Sequence, residues 1–166
     1  MHSAQPLSFD SLHEASHVVL GAYVGATDIH VVLHFGKPRC NFTHFQAMPG
    51  LVMSYAGYAG DRLLSMLSES DCVARSMSDR EIRQMILMRM ANHALEASVC
   101  AEARRRSLEL VQRFRNEIGE AAAVIQRAMW QRRSIPVDEI EQLECVVRVR
   151  AIGRAEGQTD ATRETK

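Results

Sequence analysis

The chain has 166 residues, 46% of them hydrophobic, which is enough for one buried core. Its 20 basic and 20 acidic residues cancel, so no overall field attracts nucleic acid or an anionic membrane. The longest nearly apolar run, Val18 to Ala26, has about half of the roughly 20 residues that span a bilayer. The first ten residues lack the pattern of a secretory signal. We therefore expect a cytoplasmic protein with no membrane span and no nucleic-acid partner.

The N-terminal third predicts a helix followed by a small β-sheet. Apolar residues recur at helical spacing after Asp10, and Gly25 offers a stop. Residues 27–35 are rich in β-branched side chains, and the turn residues at 36–38 follow them. This pattern predicts a strand that pairs with residues 40–45.

The middle of the chain predicts a second helix over residues 50–67, with Pro49 suited to its first turn. Gly57 and Gly60 lie inside this helix and reduce its stability, which close packing against a neighbour would offset. The polar stretch at 68–78 has no clear period.

The remainder predicts helices from Ser78 to about Arg133, then one short helix that Pro136 begins and that ends near Val147. Residues 151–166 have too little apolar content to pack, so we expect a disordered tail after a domain over 1–150. The predicted class is mainly α (α+β), with one small sheet or hairpin near the first helix. Four large apolar residues are expected in the core, namely Met85, Met88, Met90 and Trp130.

The first helix carries the motif His13-Glu14-Ala15-Ser16-His17. Histidines four residues apart lie on one helical face, so both imidazoles can reach one Zn²⁺ ion. Zinc lowers the pKa of its water to about 7, and Glu14 is placed to accept the proton as a general base. The alternative is a chance string on an amphipathic helix, without metal.

A catalytic zinc takes a third protein ligand, which the motif itself does not supply. The extended pattern HExxHxxGxxH is absent, because Leu20 and Tyr23 occupy its glycine and third-histidine positions. The third ligand is therefore expected among the downstream carboxylates, which are Asp61, Glu69, Asp71, Asp79 and Glu81.

A second metal cluster is conceivable around Cys40 and His44, which lie four residues apart after His30 and His34. The four cysteines of the chain form no CxxC pair. Packed side chains and reduced thiols are therefore the default interpretation of this region.

Four segments, in order, resemble the peptidase domain of the FtsH family of ATP-dependent zinc metalloproteases. HEASHVVLGAYVG resembles the family's HEAGH helix, with Ser16 in place of glycine. YAGYAGDRLL resembles AGRAAEEL, and SMSDREIRQM resembles ASNDLERAT, whose aspartate is the family's third zinc ligand. The segment from Arg104 to Ile140 resembles the C-terminal helices, so the likeness covers about Leu12 to Leu143.

The resemblance implies that His13, His17 and Asp79 bind zinc and that Glu14 is the general base. Asp79 also follows Ser78 at a predicted helix start, where its alternative role is a simple cap. Asp71 is the substitute ligand. Asp61 is either a carboxylate that orients a histidine or an exposed helix residue.

The chain departs from the family in having no phosphate-binding GxxxxGK[ST] loop and no membrane helix. We therefore expect no ATP-driven unfolding by this chain itself, and a separate ATPase is one candidate partner. Because members of the resembled family form rings, a homo-oligomer is one alternative for this chain.

The predicted function is hydrolysis of unfolded or short peptides by a zinc metalloendopeptidase-like protein, with the strand at 29–33 holding the substrate. One alternative is a catalytically silent binding or regulatory protein that kept the peptidase fold. Another is a different zincin, with Glu69 as the third ligand.

Overall fold

A computed structural model describes residues 6–43, 46–90 and 96–158. Within them the chain is mainly helical with one two-stranded antiparallel sheet, which confirms the predicted class at this level. None of the helices in these ranges is long and apolar enough to cross a membrane. The elements are α1 Phe9–Tyr23, β1 Thr27–His34, β2 Lys37–Thr43, α2 Ala47–Ser54, α3 Ala56–Leu63, α4 Glu69–Arg75, α5 Met77–Met88, α6 Glu96–Arg113, α7 Arg115–Trp130, α8 Val137–Glu141 and α9 Glu144–Ala155.

Helix α1 is the central element of the fold and is surrounded by α3, α7, α9 and the sheet. Ser8 caps its N-terminus by accepting a hydrogen bond from the Ser11 amide at 3.1 Å. Every residue from Ala15 to Tyr23 is buried. A helix that is buried on all sides fixes the direction of its polar side chains, because they have few alternative positions.

The predicted helix over 50–67 is instead two helices, α2 and α3, which meet at Tyr55. At this junction the Tyr55 amide bonds to the Val52 carbonyl, three residues back, which interrupts the α-helical pattern. Gly57 and Gly60 both lie in α3, as predicted inside a helix, and both pack closely on α1. A methyl group on Gly60 would lie 2.3 Å from Ser16 Oγ, so the glycine makes room for that serine.

The predicted β-hairpin is present, with β1 and β2 paired antiparallel from Thr27↔Thr43 to His34↔Lys37. Phe35 and Gly36 form the turn, and both have positive φ angles of 49° and 78°. Residues 44–45 of the predicted second strand lie outside the described residues. The other edge of β1 is also occupied, because Val31 and Ile135 exchange backbone hydrogen bonds of 3.0 and 2.7 Å.

The C-terminal helix α9 extends to Ala155, so the predicted end near Val147 is wrong. Residues 151–155, placed in the polar tail by composition, belong to this helix, and residues 159–166 lie outside the described ranges. Gly153 is the reason that α9 packs on α1: a methyl group there would lie 2.0 Å from the Tyr23 carbonyl oxygen. Glu156 then accepts hydrogen bonds from Tyr23 and Arg113.

The expected burial of four large apolar residues is mostly wrong. Met85 is 55% exposed, Met88 is 78% exposed and Trp130 is 62% exposed, whereas Met90 is partly buried against the core. Helical spacing identified the helix correctly but could not tell which of its faces meets the core. Helix α5 instead turns part of this apolar face toward a cavity beside β2.

Candidate metal centre

Two histidines and one aspartate meet at the centre of the structure. His13 and His17 lie one turn apart on α1, and Asp79 lies in the first turn of α5. Asp79 Oδ2 is 3.5 Å from His13 Nε2 and 3.3 Å from His17 Nε2. All three residues are buried, and their ligand atoms lie within 4.8 Å of one another.

These separations fit a zinc ion. Ligands bound at 2.0–2.2 Å in tetrahedral geometry lie about 3.3 Å from each other, close to both distances from Asp79. Asp79 Oδ2 is also buried and has no hydrogen-bond partner among the described residues. Such an acceptor is costly to leave unsatisfied, and a cation between it and the two imidazoles would satisfy it.

Gly57 forms the wall of this site from α3. A methyl group at Gly57 would lie 2.2 Å from His13 Nε2 and 2.7 Å from His17 Nε2. Both distances are shorter than any real contact of a Cβ atom. The backbone of α3 therefore approaches the two imidazoles as closely as only glycine permits.

Asp61 orients His13 from the side opposite the proposed ion. Its Oδ2 accepts a hydrogen bond from His13 Nδ1 at 2.9 Å and another from Arg75 Nε at 3.0 Å. Arg75 in turn donates to Asp10 at 2.8 Å. Asp61 is fully buried, so its alternative role as an exposed helix residue is wrong. Carboxylate–histidine pairs of this kind fix the ring of a metal ligand.

Sequence reasoning missed Arg75. It lies in α4, within the stretch that lacked a clear period, and nothing in its spacing from Asp61 predicted the contact. Only the packing of α4 beside α3 brings the guanidinium to the buried carboxylate.

The charges of the site act on one another. Burial lowers the pKa of His13, but the nearby carboxylates of Asp61, Asp79 and Glu14 outweigh this effect and raise the pKa to about 10. Burial raises the pKa of Asp79, yet the two nearby imidazoles lower it by more, so the carboxyl is ionised. The metal-free site thus holds a proton on His13 that a cation would displace.

Glu14 lies beside the three candidate ligands but is not one of them. Its Oε2 accepts a hydrogen bond from the Cys40 amide of β2 at 2.6 Å. Burial raises the pKa of Glu14, while the charges of His17 and His13 lower it by less. A carboxylate of raised basicity, held beside a cation site, has the position and protonation behaviour of a general base.

The other predicted carboxylate ligands lie elsewhere. Asp71 is exposed and pairs with Ser68 at the start of α4. Glu69 accepts hydrogen bonds from Tyr58 and Arg104 on the surface, and Glu81 is exposed on α5. Among the described residues, only His13, His17 and Asp79 form a group that could hold a metal.

The conceivable second cluster does not assemble from its described members. His30 forms a hydrogen bond with the Asp28 carbonyl, and the exposed His34 ring meets the Phe35 ring edge-on. Burial and the charges of Glu14 and Asp79 raise the pKa of Cys40 well above its usual value, which keeps the thiol neutral. His44 lies outside the described residues.

A cavity of about 480 Å³ opens beside the site, between β2 and α5. Glu14, His17 and Asp79 line it, together with residues 39–42 of β2. The strand predicted to hold a substrate covers residues 29–33 of β1, and Ile135 pairs with Val31 on the outer edge of that strand. The strand that borders the cavity is β2.

Comparison with known proteins assigns no family. No family model matches the sequence, and a search of curated proteins found no match. The resemblance to the FtsH peptidase domain stays a prediction from the quoted segments, and the site geometry is the stronger basis for a function.

Proposed function

We propose that this protein is a zinc-dependent metalloendopeptidase with a zincin-like fold that hydrolyses unfolded or short peptides. The observation that carries the proposal is the buried set of His13, His17 and Asp79 with Glu14 beside it. This is the two-histidine, one-carboxylate donor set of catalytic zinc sites, which leave a position open for water or substrate. The four sequence segments that resemble the FtsH peptidase domain support the same class.

Each residue of the site has a defined task in this proposal. His13, His17 and Asp79 would hold the ion, and Asp61 with Arg75 keeps the His13 ring in place. Bound zinc would act as a Lewis acid and lower the pKa of water toward about 7. Glu14 accepts the proton of the attacking water and later donates it to the departing amine.

The outer edge of β2 is suited to hold an extended peptide beside Glu14. The Cys40 amide points away from β1, toward Glu14, so the Phe42 amide and carbonyl lie on this same outer edge. A peptide that pairs with these groups lies in the cavity next to the candidate ligands. Binding through the backbone tolerates many sequences and requires a locally unfolded substrate.

Hydrolysis of unfolded casein tests the proposal. We expect zinc-loaded wild type to cleave it, and Glu14→Gln to be slower by about 10²- to 10⁴-fold, the usual range for loss of a general base. Zinc content of both proteins is measured by mass spectrometry, so that loss of the ion is not mistaken for loss of the base. Equal hydrolysis by the two proteins would contradict the mechanism. Zinc binding without any cleavage would favour the alternative of a silent peptidase-fold binding protein.

A further inference from the structure

A second cavity, of about 670 Å³, meets the first at the metal centre. Both are lined by Glu14, Arg39 and Ser78, so the two cavities adjoin beside the candidate general base, and we refer to them together as the cleft. At one end the cleft is bounded by α5, and at the other by the tip of the β-hairpin with Lys37. An extended peptide on β2 would contact both ends.

Apart from the residues of the metal centre, the charged side chains that line this cleft without an ion pair are all positive. Lys37, Arg39 and Arg89 line it and have no ion pair within the ranges that the structure describes. The remaining carboxylate at the wall, Asp10, is neutralised by Arg75 at 2.8 Å. Because the whole chain has no net charge, this excess of cations is a local property of the cleft.

Strand β2 presents its cations with the period of a β-strand. Lys37 and Arg39 are exposed, whereas the alternate residues Pro38 and Cys40 are buried. A peptide paired with β2 directs alternate side chains to the same two faces. Every second side chain of the peptide would therefore lie next to Lys37 or Arg39, where an acidic group is favoured over a basic one.

The wall that faces β2 across the first cavity is apolar. Its apolar side chains come from α5 and from the second residue after the end of α5, namely Ile82, Met85, Ile86 and Met90. Met85 is 55% exposed on this wall, and the polar residues of the wall lie toward its ends, with Ser78 and Asp79 at the start of α5 and Arg89 after its last residue. Flexible methionines at an open surface adapt to apolar side chains of different shape.

From these observations we propose that the cleft selects extended peptides in which acidic side chains alternate with large apolar ones. This specificity rests on the proposed peptidase function, since it concerns the same cleft. The acidic side chains pair with Lys37 and Arg39, and the apolar ones lie against α5. Arg39 is the main specificity-determining residue, because it lines both cavities beside Glu14.

Peptide binding to zinc-loaded Glu14→Gln tests this specificity without cleavage. The probes are two fluorescent peptides of about eight residues with blocked ends, one alternating Glu with Leu and the other Lys with Leu. We expect fluorescence anisotropy to give about tenfold tighter binding of the Glu peptide at low salt, with a smaller difference at high salt. Added Arg39→Glu should remove or reverse the preference.

Arg115→Glu is the matched control, because Arg115 is exposed on α7, lines neither cavity and undergoes the same charge change. It should leave the preference unchanged. Equal binding of both probes, binding of neither, or a preference that survives Arg39→Glu would overturn the inference. The two proposals fail separately: charge-selective binding with no casein cleavage ends the peptidase proposal alone, and cleavage without charge selection ends only this specificity.

Discussion

Substitution of Gly57 by alanine is the sharpest test of the metal centre. The added methyl group would lie 2.2 Å from His13 Nε2, about 1.2 Å closer than the 3.4 Å at which ordinary contact begins. His13 cannot move away freely, because Asp61 holds its other nitrogen at 2.9 Å. Metal sites tolerate ligand shifts of only about 0.2 Å. We therefore expect Gly57→Ala to weaken zinc binding by at least about 100-fold, more than loss of an orienting partner usually does.

A chelator competition assay measures this affinity, and thermal unfolding in excess chelator measures the metal-free stability. Gly119→Ala is the control, because Gly119 lies in α7 with no atom within 4 Å of the added methyl group. Replacing glycine by alanine inside a helix stabilises it by about 1 kcal/mol where nothing clashes. Gly119→Ala should show this gain in stability with unchanged zinc affinity. Gly57→Ala should show no gain in stability and a weaker zinc affinity. A Gly57→Ala protein that is more stable and binds zinc normally would refute the described approach of α3.

Three further outcomes follow from the same contacts. The raised pKa of His13, about 10, keeps this residue protonated at pH 6 to 8, so zinc must displace a proton to bind. Isothermal titration calorimetry should therefore show a zinc affinity that rises about tenfold per pH unit. A zinc affinity that does not change with pH would contradict this. Asp79→Ala should abolish tight zinc binding in equilibrium dialysis, whereas Asp71→Ala should not change it. Gly153→Ala should destabilise the fold by about 1–3 kcal/mol in urea unfolding, since the methyl group would meet the Tyr23 carbonyl; a stabilised variant would show that α9 packs otherwise.

The parts of the site that the sequence predicted are those that depend on local spacing. His13 and His17 share a helical face because they are four residues apart, wherever α1 lies in the fold. Gly57 and Gly60 indicated close packing because glycine inside a helix needs a compensating contact. The placement of Asp79 came from the order of family-like segments, and the structure brings its carboxylate to the two histidines.

The parts that the sequence did not predict depend on contacts between distant residues. Val31 and Ile135 exchange two backbone hydrogen bonds at the outer edge of β1, and β2 is the strand that lines the cavity. Gly153 fixes α9 against Tyr23, although the composition around it resembles a polar tail. Periodicity gives the apolar face of a helix, but the neighbours decide whether that face meets the core or a cleft, as at Met85.

The burial of this polar cluster is difficult to explain by folding alone. His13, His17 and Asp79 are buried next to α3, which itself carries the buried Asp61, and the Asp79 oxygen near the imidazoles has no hydrogen bond. An unsatisfied buried acceptor costs about 1–3 kcal/mol, and replacing buried ionic groups by apolar residues of similar volume is often neutral or stabilising. The stability of the fold therefore does not explain the unsatisfied Asp79 oxygen or the glycine at position 57. A cation bound by all three ligands would offset the cost of burying the Asp79 carboxylate, and it would account for the close approach of α3, because the glycine backbone leaves the space that a side chain would fill.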